Sequence, residues 1–106
     1  MGKGSSSLDA HMVVGIAVIT FRIHESNSLK VKRGVVKGLI NQVRNHFNAS
    51  VAEVGSNDMH QRTQIGVALA GSDHQVMNAK MDKLLNFLEE LGMAEMIDSE
   101  MEIIHL

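Results

Sequence analysis

The chain has no cysteine, no proline, no tryptophan and no tyrosine, and its only aromatic residues besides histidine are three phenylalanines. Without cysteine there is no disulfide and no thiolate metal site. That suits a reducing compartment, and a cytoplasmic location is the expectation. No apolar run approaches the roughly 20 residues of a membrane-spanning helix. The stretch from Val13 to Ile19 is too short and has the β-branched character of a strand, so no membrane partner is expected. Of the phenylalanines, only Phe21 lies in strand-like sequence. A sheet that stacks bases on aromatic side chains, as RNA-recognition sheets do, is therefore not supported.

Charge is scarce overall and unevenly spread. The net charge is −2. From Arg22 to Arg62 there are seven Lys/Arg against three acids, and from Asp73 onward there are two Lys against eight acids. A field of that shape bears on solubility and steering rather than on fold.

A length of 106 residues allows one domain. Residues 1–11 are small, polar and aperiodic and end in Ala10-His11 before Met12. They read as an expression-vector remnant, expected to be disordered because they offer no apolar surface to offset ordering. Residues 12–106 are then the domain.

Val13 to Ile23 is almost continuously apolar, the pattern of a central strand buried on both faces. His24-Glu25-Ser26-Asn27 is a turn cluster. Ser28 is a good N-cap for a helix running to about Phe47, with Asn48 as a left-handed exit. Ala49 to Gly55 reads as a strand, residues 56–60 as a hairpin loop, and Thr63 to Ala70 as a strand. Ser72 and Gln75 match a capping box before a second helix, which buries Met77, Met81, Leu84, Leu88 and Leu91 and ends at Gly92. Glu95 to His105 is a fourth strand, with Ile97, Met101 and Ile103 on one face and Asp98, Glu100 and Glu102 on the other.

The order βαββαβ is the ferredoxin-like pattern of the α+β class. Right-handed crossovers then give an antiparallel sheet of strand order 4-1-3-2 with both helices on one face.

Within this frame, three runs resemble a known family. They are Ser28-Leu29-Lys30-x-Lys32-Arg33, then Arg44-x-x-Phe47-Asn48-x-Ser50-Val51-Ala52-Glu53-Val54, then Gln61-Arg62-x-x-Ile65-Gly66-Val67-Ala68. The family is the domain of unknown function that includes the bacterial YlxP proteins. The resemblance implies a ferredoxin-like fold and no established catalysis. It also implies a link to RNA or the ribosome, since the family's genes often lie beside translation and ribosome-maturation genes. This chain departs from the pattern at His60, where Trp is usual, at Val31, where an acid is usual, and at Gly34 and Gly38, where larger residues are usual.

The candidate site is a cationic stripe. On a helical wheel Lys30, Arg33, Lys37 and Arg44 cluster roughly 60° to 120° from Val36. With Arg62 they form a candidate phosphate-contacting set, and the partner expected is structured RNA or a ribosomal particle. The plainer reading is a solvated helix face. An alternative function is a homo-oligomerising or small-ligand module that uses the helix-free face of the sheet.

His24, His46, His60, His74 and His105 fall on separate elements with no acidic partner at ligand spacing, so no metal or cofactor is expected. Enzyme chemistry has little support. The first loop lacks the glycines with which acylphosphatases of this topology cradle phosphate, and Glu53 reads as an exposed strand carboxylate facing Arg62.

Overall fold

In the computed structural model, which describes residues 9–106, the elements run β1 (Val13–Arg22), α1 (Leu29–His46), β2 (Ser50–Gly55), β3 (Arg62–Gly71), α2 (His74–Leu91) and β4 (Glu95–His105). Residues 1–8 of the leading segment lie outside the described residues, and Asp9 to Met12 are exposed and outside any helix or strand. All strand pairs are antiparallel, in the order β2-β3-β1-β4. This is the expected ferredoxin-like βαββαβ topology. No helix among the described residues is long and apolar enough to cross a membrane.

Both helices pack on the same face. Ile19 and Phe21 of β1, Ile65 of β3, Leu39 and Val43 of α1, and Met81 and Leu84 of α2 are all fully buried in one cluster. Each such side chain contributes about 1.5–3 kcal/mol relative to exposure. Gly15 is small for a reason: a β-carbon there would press on the sulfurs of Met77 and Met81 at 2.8 Å.

The structure corrects several expectations. β1 is central but is not buried on both faces. Val13, Ala17, Ile19 and Phe21 are covered by the helices, whereas Val14, Ile16 and Val18 on the other face are half-buried. Among the described residues no layer covers that second face. Ile40, which lines a surface groove beside α1, and Phe47, the C-cap of α1, are half-buried.

The cap of α2 is Asp73, not Ser72. Asp73 is extended and its carboxylate accepts from the Val76 N–H at 2.9 Å. The shift of one residue puts Val76, not Gln75, three positions after the cap, so no capping box closes. Asn48 is not left-handed either. Helix α1 ends when Phe47 becomes extended and its N–H donates to the Val43 carbonyl. Ser28 and Gly92 act as expected, Ser28 accepting from the Val31 N–H and Gly92 at φ 71°.

A bulge opposite Thr20/Phe21 inserts Ile97 into β4. Met96, not Ile97, therefore pairs with Phe21 and packs against the core. The two glycines of α1 have different surroundings, Gly38 being half-buried and Gly34 exposed. A β-carbon at Gly38 would collide with the methyl of Met93, which folds over α1 from the α2–β4 connection, whereas Gly34 has nothing near it.

Candidate functional site

Helix α1 lies over the β2 side of the sheet, and β2 is an edge strand. Between them runs a groove of about 510 Å³, walled by Arg33, Lys37 and Arg44 on the helix side and reaching Glu53, Asn57 and Asp58 on the hairpin side. Leu29, Val36 and Ile40 supply apolar wall. Arg44 Nη2 donates to the Val51 carbonyl at 3.4 Å and ties the helix to the edge strand.

The groove is held by a side chain that the wheel does not single out. Lys32 is 2% exposed. Its ammonium donates to the Ser56 carbonyl and to the Asn57 carbonyl at 3.3 Å, and pairs with Glu53 Oε2 at 3.1 Å. An ammonium has three donors, and three acceptors meet them. Thr63 Oγ1 donates to the same Glu53 oxygen at 2.7 Å. Glu53 is thus not an exposed carboxylate facing Arg62. It is the half-buried counter-charge of Lys32, and it sits on the helix-covered face because β2 is paired there with Ile65. A lysine amid Val36, Leu39 and Val43 at helical spacing could have hinted at this. Its partner could not be read without the strand register.

Lys32 fastens the hairpin tip to the helix. Ser56 is left-handed, at φ 59°, and its carbonyl also accepts from the Met59 N–H. Such a backbone is unfavourable for a residue with a β-carbon and persists where its surroundings fix it.

The expected site residues separate into two groups. Lys30, Arg33, Lys37 and Arg44 are all exposed on one side of α1. Among the described residues, the ion pairs are Lys32–Glu53 and His24–Glu95, so none of these four is neutralised by one. Arg33, Lys37 and Arg44 share the groove, and Lys30 lies one turn before Arg33, outside it. Arg62 stands elsewhere. It alternates with the buried Thr63 and so projects from the helix-free face, beside its register partner Arg22.

The histidines have partners that sequence distance concealed. His24 Nε2 lies 2.6 Å from Glu95 Oε1, and His74 stacks on His105 with ring nitrogens 2.7 Å apart. Among the described residues no group of three or more His, Cys, Asp or Glu could hold a metal ion.

Two solved structures have a similar outline. One is the de novo designed protein Foldit4, at TM-score 0.48 and 17% identity over 91% of this chain and 96% of that one. The other is protein SO0527 from Shewanella oneidensis, at TM-score 0.47 and 11% identity over 92% and 93%. The fold assignment rests on the strand order and connectivity above. In sequence, the chain is 34% identical over 77 residues to the uncharacterized protein YlxP of Bacillus subtilis (strain 168), spanning 73% of this chain and 84% of that protein. Residues 14–101 match the family described as a protein of unknown function, DUF503. The chain belongs to the DUF503 family, together with the YlxP protein it resembles.

Proposed function

We propose that this protein is a non-enzymatic, cytoplasmic accessory factor that binds structured RNA, free or within a ribosomal particle, through the cationic side of α1. One observation carries the reading: four exposed cations on one helix face, none in an ion pair among the described residues. Unpaired surface cations in a row suit a row of phosphates, which supply sequence-independent affinity. Gly34, with open space around it, lets a phosphate backbone come close to the helix. Arg62 and Arg22 face away from this surface and are left out of the contact. Sequence preference should be slight, since no aromatic platform accompanies the cations.

The test is binding of a structured RNA by fluorescence anisotropy, comparing wild type with Arg33→Glu plus Lys37→Glu. Both residues are exposed, so the variant should keep its helical circular dichroism and lose the RNA. A folded double variant that binds as well as wild type would return the stripe to a solvated helix face.

A second reading rests on the helix-free sheet face. Val14, Ile16 and Val18 are only half-buried there, Val54 lies over Gly66 at 56% exposure, and Ile104 is 44% exposed. Apolar surface of this kind favours self-association. Sedimentation should then show a dimer that Ile16→Lys dissociates, and a wild type that stays monomeric at high concentration removes the reading.

A further inference from the structure

The two helices touch little along their length, and they leave a cleft between the C-terminal end of α1 and the middle of α2. It holds about 440 Å³, within the roughly 300–1,000 Å³ typical of small-ligand sites. Leu69 of β3 lies at its floor. Its walls carry Phe47 and Phe87, two of the chain's three phenylalanines, edge to face with centroids 5.6 Å apart. The His46 ring lies against Phe87 at 4.5 Å. These three rings are half-buried or exposed, although apolar rings at a helix interface are ordinarily covered.

The rim has one sign of charge. Lys80 and Lys83 both line the cleft, and they are the only cations from Asp73 to the C-terminus. Lys83 lies four and Lys80 seven residues before Phe87, and the two are three apart, so they share its side of α2. Neither forms an ion pair among the described residues, despite eight acids in that half of the chain. The opposite wall is the C-terminal end of α1, where free carbonyls carry partial negative charge. An anionic group is therefore directed to the α2 rim and an apolar body to Phe47 and Leu69.

We propose that this cleft binds a small amphipathic anion, a flat aromatic body bearing one carboxylate. The body lies over Leu69 against the joined rings of Phe47 and Phe87, and the carboxylate lies between Lys80 and Lys83. The site is separate from the cationic face of α1 and stands or falls independently of RNA binding.

The experiment titrates naphthoate, and separately its neutral counterpart naphthalenemethanol, into the full chain while following amide chemical shifts by NMR. Saturable shifts at Phe47, Leu69 and Phe87 are expected, with naphthoate bound about tenfold more tightly than the alcohol. Lys80→Gln with Lys83→Gln alters only exposed side chains and should erase that preference while keeping the alcohol's affinity. Phe87→Ala should weaken both probes, and if it fails to fold the lysine variant decides alone. Equal affinity for the two probes in wild type, an undiminished preference in the lysine variant, shifts confined to other surfaces, or no saturable binding would each overturn the proposal.

Discussion

Lys32 Nζ lies 3.1 Å from Glu53 Oε2, in a position where the lysine is almost wholly removed from water. The pair joins the first helix to the edge strand and, through the Ser56 and Asn57 carbonyls, to the hairpin tip. It thereby fixes the wall that faces Arg33, Lys37 and Arg44. Removing Glu53 leaves the buried Lys32 ammonium without its counter-charge, which typically costs about 3–5 kcal/mol. Urea unfolding of Glu53→Ala should show a loss of that order. Lys32→Met combined with Glu53→Leu should lose clearly less than the two single changes together. Additive losses would mean that the two charges do not act as a pair.

Leu84 is fully buried where α2 meets the sheet. Leu84→Ala should cost about 2–5 kcal/mol, read as a lower urea midpoint at unchanged slope. A loss near zero would contradict the packing of α2 described above.

The two glycines of α1 should respond differently to alanine. Gly34 is exposed with nothing near its missing β-carbon, so Gly34→Ala should stabilise by about 0.5–1 kcal/mol. At Gly38 the new methyl displaces the end of the Met93 side chain, so the gain should be smaller or absent. Thermal unfolding of both variants checks the contrast. Equal gains would show that Met93 does not rest on α1.

Much of this fold is legible in the residues. The apolar runs of β1 and β3 mark the two central strands, Ser28 and Gly92 mark helix ends, and alternation in β4 marks an edge. What escaped depends on position in space. The change of cap from Ser72 to Asp73 depends on where the extended backbone gives way to helix, since both side chains suit the role. The bulge at Ile97 exists only in the pairing of β4 with β1. His24 meets Glu95 across 71 residues of chain, and no local pattern encodes that. The cationic stripe was readable because it needs only helical periodicity. The separation of Arg62 from it needs the sheet's two faces, and the role of Lys32 needs a register.

The most direct test of the account is the salt dependence of RNA binding. If the exposed cations of α1 contact phosphates, log Kobs should fall linearly with log salt, and each lost contact should reduce the slope by about one unit. Measured for wild type, Arg33→Gln and Arg33→Gln plus Lys37→Gln, the slope should shrink stepwise while sequence preference stays slight. A slope that is the same in all three folded proteins, or no RNA binding at low salt, would contradict it.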